Sequence, residues 1–391
     1  MSVNSGVKTL QSHFTPCAVV DRAKLASNIA RLNASLAPFD VDLRPHVKTA
    51  KSLDVTALLT AGHSGAITVS TLTEAEYFAD AGYEDILYAV GIVPTKLPRV
   101  AALLDRGIRL KVVLDGATTA RMVADWGVQN DRAIPTLIEI NSDDHRAGID
   151  PGDPELIETA SILDESPGTQ FLGIMTHAGA SYDCATTEAI GAMAQQERDA
   201  AVQCAEEIRA AGINCEIVSV GSTPTALFAT DLSGITEVRA GVYPFFDLVQ
   251  AGLGCCQPED IALSVLTTVI GHKPRLNTLL TDAGGLALSK DRGTSEQAID
   301  WKYGCVCVAD SGGIIDGLVV RSVNQEHGLL STFDGSALDF ERYPIGTQLR
   351  ILPNHACMTA AAYSEYLVVD GPSPVVTDTW SRCGGWDRPQ G

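Results

Sequence analysis

Short apolar runs alternate with longer amphipathic stretches between residues 38 and 255. Eight of the runs read as β-strands, and they lie at 41–49, 65–71, 85–90, 110–115, 135–141, 171–179, 216–225 and 236–247. Strands that are apolar throughout and separated by helices are typical of a parallel sheet buried on both faces. Eight such repeats over about 210 residues predict an α/β fold, a closed (β/α)8 barrel of the TIM type. A doubly wound open sheet is the alternative.

The pattern changes after residue 257. Six β-rich segments follow without substantial helices between them, and Gly, Asp, Ser and Pro separate them. This arrangement predicts a C-terminal antiparallel β-domain. The stretch TPCAVVDR at 15–22 is also strand-like and is a candidate to pair with that sheet. We therefore predict a barrel over 23–256 and a β-domain formed by 1–22 and 257–391.

Composition and charge limit the partners of this chain. Its 391 residues carry a formal net charge of −20, which repels phosphate backbones and anionic lipid, so nucleic acid and membrane surfaces are poor partners. The N-terminal sequence lacks the order of a signal peptide, and no apolar run approaches the roughly 20 residues that span a bilayer. The ten cysteines are scattered or adjacent, which is a poor disulfide framework. We expect a cytoplasmic protein with reduced thiols.

Polar residues collect where the predicted strands end, which is where barrel enzymes place their active sites. Lys48 ends the first strand, in RPHVKT. A lysine in a partly dry barrel mouth has a lowered pKa and is nucleophilic, as a Schiff-base lysine requires. Spacing alone also allows a lysine that reaches out to water.

Other strand ends suggest an anion site. Gly221, Ser222 and Thr223 form a turn with two hydroxyls before a helix start, which is a plausible phosphate cradle. Gly241 and Val242 could add backbone donors to the same phosphate. A plain turn with an N-cap would look the same.

Two arginines also lie near the apolar strands. Arg146 and Arg239 are fixed cations that could contact the phenolate oxygen or ring nitrogen of an aromatic cofactor. A structural ion pair is the alternative for each of them.

In the predicted β-domain, His355 and Cys357 lie two residues apart in PNHAC. If this segment is extended, both side chains point to the same face and could share one divalent ion. Two protein ligands leave coordination positions open, which suits a catalytic zinc site. A buried cysteine beside a satisfied histidine is the alternative, and His327 is a weaker candidate of the same kind.

Nine motifs occur in order along the chain: TPCAVVD, RPHVKTAKS, EINSDDHRAGI, THAGASY, VSVGSTPT, EVRAGVYPFFD, TDAG…SKD, NQEHG and ILPNHAC. Together they resemble the metal-activated D-serine dehydratases and D-threonine aldolases, which are pyridoxal 5′-phosphate (PLP) enzymes of the alanine-racemase fold. The resemblance covers residues 15 to about 386. It implies a PLP-dependent lyase, active on small-molecule D-amino acids.

The resemblance assigns roles residue by residue. Lys48 matches the PLP-binding lysine, Arg146 the contact to the cofactor's O3′, and Arg239 the arginine that alanine racemases place on the pyridine nitrogen. The phosphate site is matched by Gly221, Ser222, Thr223, Gly241 and Val242, and Tyr243 follows in the same motif. His177 and Tyr182 match residues on the substrate side of the ring. His355 and Cys357 match the metal pair, which usually holds zinc, with manganese, cobalt or magnesium as alternatives.

The resemblance also implies an activity and an assembly. His-Ala-Cys replaces the His-x-Asp of the aldolases, which favours a dehydratase that converts D-threo-3-hydroxyaspartate or D-serine to a 2-oxo acid and ammonia. Retro-aldol cleavage to glycine and an aldehyde is the alternative. A non-catalytic PLP-binding homeostasis protein can share the barrel but lacks such a β-domain. Relatives of this fold are homodimers, so we expect a homodimer here.

Overall fold

The computed structural model describes residues 8–384 and residue 386. These residues divide into two compact units. The barrel unit comprises Leu32–Gly241 with the described residues from Cys383 onward, and the β-unit comprises the described residues up to Arg31 with Val242–Arg382. The domain boundaries at residues 22 and 256 stay a prediction, because compactness alone does not show where an independently folding domain begins.

The chain opens with strand β1 (Cys17–Asp21) and helix α1 (Arg22–Leu36). Eight parallel strands follow in the barrel unit: β2 (Asp42–Leu43), β3 (Ile67–Val69), β4 (Asp85–Tyr88), β5 (Arg109–Leu114), β6 (Ile134–Glu139), β7 (Thr169–Met175), β8 (Ile217–Val220) and β9 (Glu237–Val238). Their order in the sheet is β2-β9-β8-β7-β6-β5-β4-β3. A parallel bridge between His46 and Thr68 joins the two ends of this order. The predicted closed barrel is therefore confirmed.

Seven helices connect the strands of the barrel unit: α2 (Leu53–Thr60), α3 (Leu72–Asp80), α4 (Leu97–Asp105), α5 (Ala117–Gln129), α6 (Pro154–Glu165), α7 (Thr187–Ala210) and α8 (Thr223–Phe228). Side chains that cap backbone N–H groups fix several of their starts. Thr71, Asp153 and Thr186 accept from the first turns of α3, α6 and α7, as N-cap residues do. The strands between them are buried on both faces, as their apolar runs predicted.

The first and last barrel strands are shorter than the runs that predicted them. Pro45 has no N–H to donate to the ladder, and β2 ends before it, at Leu43. The chain rejoins the sheet only at the His46 bridge and then turns. Lys48 therefore lies in a turn rather than on a strand.

The β-unit contains a nine-stranded sheet. Its other strands are β10 (Leu263–Lys273), β11 (Thr278–Thr281), β12 (Cys305–Val308), β13 (Ile314–Val323), β14 (Gly328–Thr332), β15 (Gln348–Leu352), β16 (Glu365–Val369) and β17 (Asp378–Ser381). The sheet order is β11-β14-β13-β12-β15-β10-β1-β16-β17, and β10 also pairs with β11. As expected from TPCAVVDR, β1 joins this sheet, antiparallel to β10. Its pairing with β16 is parallel, which the antiparallel prediction did not include.

Three short helices complete the β-unit: α9 (Leu248–Gly252), α10 (Gly285–Leu288) and α11 (Ala356–Ala360). One face of the sheet packs into a core that includes Val265, Leu279, Val306 and Ile351. Over the part of the chain that the structure describes, no helix is both long and apolar enough to cross a membrane.

Candidate active site

Lys48 lies close enough to His46 and His177, in the barrel unit, to affect their protonation, and so does Arg239. Its positive charge lowers the pKa of both His46 and His177, and the charge of Arg239 lowers the same two values. Burial is the larger cause for both histidines. The structure thus brings Lys48, His177 and Arg239 together, as the strand-end argument required.

His177 has a defined protonation state. Its Nδ1 lies 2.9 Å from the carbonyl oxygen of Gly221, which can only accept, so Nδ1 carries the hydrogen. Burial, followed by the charge of Lys48, lowers the pKa of His177 to about 3. The ring is therefore neutral near pH 7, and its Nε2 is left as an acceptor. The ring centroid of Tyr182 lies 6.4 Å from that of His177.

His46, two residues before Lys48, has a buried ring nitrogen, Nδ1, that forms no hydrogen bond with the described residues. Leaving such a group unpaired costs free energy, so this position fits a bound polar group. Gly241 lies against the same residue, since a Cβ there would stand 3.1 Å from the His46 carbonyl oxygen.

Arg239 is held inside the barrel by hydrogen bonds. Its guanidinium donates to the Ser219 hydroxyl and to the carbonyl of Thr176. The Ser219 hydroxyl in turn donates to Glu237 Oε1 over 2.7 Å, and Arg44 Nε donates to Glu237 Oε2 over 2.8 Å. Arg239 is thus fixed through a buried network rather than by a direct ion pair.

Arg146 has the ion pair that the sequence left open. Its Nη2 lies 3.0 Å from Glu139 Oε1, at the end of β6. More than half of its side chain remains exposed. The pair does not prevent a contact to a bound group, because an exposed guanidinium keeps further donors.

The Gly221–Thr223 turn has the geometry of a capped helix start. Gly221 has φ +134°, and a Cβ there would stand 2.1 Å from the Arg239 carbonyl oxygen, so only glycine fits. Ser222 is the N-cap of α8 and forms a capping box with Thr225. The hydroxyls of Ser222 and Ser181 lie 2.9 Å apart. In this turn the backbone of Gly221 thus lies against that of Arg239, and the hydroxyls of Ser222 and Ser181 are buried next to it.

The β-unit brings His355 and Cys357 together, but not on an extended segment. His355 is the N-cap of α11, and Cys357 lies in the first turn of that helix, so the expected strand geometry is wrong. The two side chains nevertheless hydrogen-bond each other. Strand β15 ends at Leu352, and α11 starts at Ala356, within the PNHAC motif.

Two carboxylates surround this pair. His355 Nδ1 lies 2.7 Å from Asp291 Oδ2. Asp247 accepts from the backbone N–H groups of Ala356 and Gln250 over 2.9 and 3.0 Å. Burial would lower the pKa of His355, but the hydrogen bonds to Asp291 and Cys357 raise it to about 11.

Over the described ranges, no cluster of three or more His, Cys, Asp or Glu side chains is arranged to hold a metal ion. The metal candidate is therefore a two-ligand site with Asp291 behind it. Carboxylates that bind the second nitrogen of a histidine orient it for a metal. His327, the weaker candidate, is exposed.

The remaining predicted residues follow Gly241 in the chain and belong to the β-unit. Val242 and Tyr243 are both buried. The Tyr243 hydroxyl has no hydrogen-bond partner among the described residues, and burial raises its pKa. An unpaired buried hydroxyl again fits a bound polar group.

Sequence reasoning missed the carboxylates that support these sites. Asp291 lies in the SKD motif and Glu237 in EVRAG, but neither was assigned a role. Glu197, within the long helix α7, was not considered. A buried acidic residue on an otherwise amphipathic helix is a signal that could have drawn attention to it.

Comparisons with known proteins agree with this architecture. Residues 20–248 match the family of alanine racemase N-terminal domains, and residues 262–369 match the serine dehydratase domain family. The chain is 47% identical to the D-threo-3-hydroxyaspartate dehydratase of Delftia sp. (strain HT23), covering 97% of this chain and 99% of that protein. It is 32% identical to the D-serine dehydratase of Dictyostelium discoideum, over 93% and 95%.

An aldolase and a solved structure extend the comparison. The D-threonine aldolase of Arthrobacter sp. is 28% identical, over 94% of this chain and 91% of that protein. A solved structure of a D-threo-3-hydroxyaspartate dehydratase, a cysteine-to-alanine mutant in the metal-free form, superimposes with a TM-score of 0.93 at 47% identity. It covers 97% of this chain and 100% of that chain. The dehydratases are thus more similar in sequence than the aldolase.

Proposed function

This chain belongs to the family of D-serine dehydratases with an alanine racemase N-terminal domain, and on that premise we propose that it is a PLP- and divalent-metal-dependent dehydratase of D-3-hydroxy amino acids. The reaction would give a 2-oxo acid and ammonia from substrates such as D-threo-3-hydroxyaspartate or D-serine. The observation that carries the proposal is the 47% identity, over nearly both full lengths, to a D-threo-3-hydroxyaspartate dehydratase. As a member of this family the chain is an enzyme, a lyase.

Most of the residues proposed to hold the cofactor lie in the barrel unit, and Val242 and Tyr243 belong to the β-unit. We propose Lys48 as the attachment point, and Arg146 and Arg239 as contacts to O3′ and the pyridine nitrogen. We propose Gly221, Ser222, Thr223, Gly241 and Val242 for the phosphate, and Tyr243 as a further cofactor-binding residue. Within the barrel unit, the unpaired Nδ1 of His46 supports the presence of a bound polar group. Bound PLP supplies an electron sink for the charge that develops at the substrate Cα.

Lys48 and His177 would move and receive protons. The Lys48 amine would be the base that takes the Cα proton of the substrate. His177 is neutral near pH 7, because burial, followed by the charge of Lys48, lowers its pKa to about 3. Its Nδ1 binds the Gly221 carbonyl, so its Nε2 would accept a hydrogen bond from the substrate. Tyr182, whose ring is near that of His177, is the third proposed catalytic residue.

His355 and Cys357 would hold the metal. An imidazole and a thiolate favour zinc, and manganese, cobalt or magnesium are the alternatives to test. Hydroxide is a poor leaving group, and a divalent ion supplies a Lewis acid for the departing β-hydroxyl. Asp291 would fix the ring of His355 so that Nε2 is the donor atom.

Two other activities are less well supported. Retro-aldol cleavage would use the same lysine and metal, but the aldolase relative is the less similar one. A non-catalytic PLP-binding protein does not need the residues that match the serine dehydratase domain family. We also propose a homodimer and a cytoplasmic location; the scattered positions of the cysteines along the chain support the latter.

A substrate panel tests the proposal. Purified protein with PLP is incubated with the D- and L-isomers of serine, threonine and threo-3-hydroxyaspartate, with and without a chelator. We expect ammonia and a 2-oxo acid from D-isomers only, and loss of both products after chelation. Glycine and an aldehyde as main products would instead identify an aldolase.

A further inference from the structure

Glu197 is a buried carboxylate: burial raises its pKa, and its hydrogen bonds to Thr225, Ala178 and Gly221 oppose this more than the charge of Arg239 does. Glu197 lies in α7 and is 2% exposed, and among residues 8–384 and 386 no Lys, Arg or His forms a salt bridge with it. Burying an acidic group costs free energy unless hydrogen bonds compensate it. A helix residue with such a cost needs a local explanation.

The hydrogen bonds of Glu197 join two loops. Its Oε1 accepts from the backbone N–H of Ala178 over 2.8 Å and from that of Gly221 over 3.0 Å. The hydroxyl of Thr225 also binds this carboxylate. Ala178 belongs to the loop at residues 176–182, which we call the substrate loop. Gly221 begins the phosphate loop, at residues 221–223.

Two further contacts connect the same loops. His177 Nδ1 donates to the Gly221 carbonyl over 2.9 Å, and the hydroxyls of Ser181 and Ser222 lie 2.9 Å apart. Of these three contacts, only that of Glu197 comes from outside the two loops, because Glu197 lies in α7 and binds a backbone N–H group of each loop. A single oxygen atom thereby fixes the distance between the two loops.

We infer that Glu197 is a positioning residue that holds the phosphate loop in its binding geometry and registers it against the substrate loop. It acts through backbone N–H groups and does not touch the cofactor or the substrate. This inference rests on the proposed phosphate site, which it deepens. If the peptide of Gly221 tilted, its carbonyl would move away from His177 Nδ1, whose hydrogen it accepts. Both loops therefore depend on Glu197 Oε1.

The acceptor atom, rather than the charge, does this positioning. Glu197→Gln keeps an Oε1 oxygen for both backbone donors and an amide group for Thr225. Glu197→Met fills a similar volume but removes both acceptors. Filling the volume matters, because a cavity of about 10 Å³ already lies beside Glu197 and Gly221, and Glu197→Ala would enlarge it.

The experiment compares two ligands that differ by one phosphate group. Full-length protein is freed of cofactor and titrated with PLP or with pyridoxal, and binding is followed by absorbance. Glu155→Met is the matched control, because Glu155 accepts from the backbone N–H of Ala117 over 3.1 Å, at the start of α5, which contains no proposed site residue.

Glu197→Met should bind PLP about tenfold more weakly, as the loss of two backbone hydrogen bonds implies, and pyridoxal almost as well as the unmodified protein. It should also raise the substrate KM. Glu197→Gln should retain PLP binding, and so should Glu155→Met. Equal losses for PLP and pyridoxal, or none for PLP, overturn the inference.

A second variant keeps the test decisive if Glu197→Met does not fold. Ser181→Ala removes another link between the loops and should cause a smaller loss, again confined to PLP. An unchanged preference for PLP over pyridoxal in this variant counts against the inference. Failure of the unmodified protein to prefer PLP over pyridoxal would instead refute the proposed phosphate site itself.

Discussion

The imidazole of His355 and the carboxylate of Asp291 form a 2.7 Å hydrogen bond in the β-unit. The bond occupies Nδ1 and leaves Nε2 for a metal, since a carboxylate bound to one ring nitrogen fixes the tautomer of the other. Asp291 thereby supports the pair His355 and Cys357 without being needed as a ligand.

Replacing Asp291 should therefore weaken metal binding. We expect Asp291→Asn to reduce metal affinity by about 10- to 100-fold, measured by competition with a coloured chelator. Asp300→Asn is the control, because Asp300 pairs with Arg292 and Lys302 instead. Equal affinity in Asp291→Asn and Asp300→Asn would contradict the orienting role.

Removing the metal should separate cofactor binding from turnover. The proposed attachment residue is Lys48 in the barrel unit, so chelation should leave the absorbance of bound PLP unchanged. Ammonia release should fall by orders of magnitude and return with added zinc, manganese or cobalt, because the leaving hydroxide needs a Lewis acid.

Cys357→Ala should reproduce the effect of chelation, and added metal should rescue it poorly. Cys17→Ala is the matched control in the same unit, because burial, aided by Asp282, raises the pKa of the Cys17 thiol to about 12 and disfavours the thiolate that metals bind. Full turnover by a Cys357→Ala protein with no metal in elemental analysis would refute the metal's role.

Lys48 should carry the cofactor and the base. Purified protein should be yellow, and borohydride should attach the cofactor irreversibly to a peptide that contains Lys48. Lys48→Ala should lower turnover by about 10²- to 10⁴-fold, the usual contribution of a general base. Lys96→Met, in the same unit, should leave turnover unchanged. Undiminished turnover by Lys48→Ala would refute the role of Lys48 as attachment point and base.

Regular patterns predicted the fold, whereas the supporting contacts of the site could not be predicted from sequence. The eight apolar runs led to the barrel because each strand is buried on both faces. The expected strand at 353–357 failed, because α11 starts at Ala356 and periodicity over so few residues does not separate a strand from a helical turn. Glu197 meets Gly221 only after folding, and no local pattern encodes such a contact.

The low pKa of His177 makes a prediction about acid stability. Burial and the charge of Lys48 lower this pKa to about 3 in the folded protein, whereas an unfolded histidine titrates near 6.5. Between these values the unfolded chain binds a proton that the folded protein does not. His177 therefore imposes no penalty above about pH 6.5, and the stability of the folded state falls progressively as the pH drops toward about 3.

His177→Asn cannot take up this proton. Between pH 6 and pH 4 its free energy of unfolding should fall less steeply than that of the unmodified protein, by up to about 1.4 kcal/mol per pH unit. Urea denaturation of cofactor-free protein at several pH values measures both slopes. His327→Asn, which replaces an exposed imidazole, should keep the slope of the unmodified protein. If His177→Asn and the unmodified protein lose stability in parallel, the pKa of His177 in the folded protein is close to that of an unfolded histidine, and the lowering by burial and Lys48 is refuted.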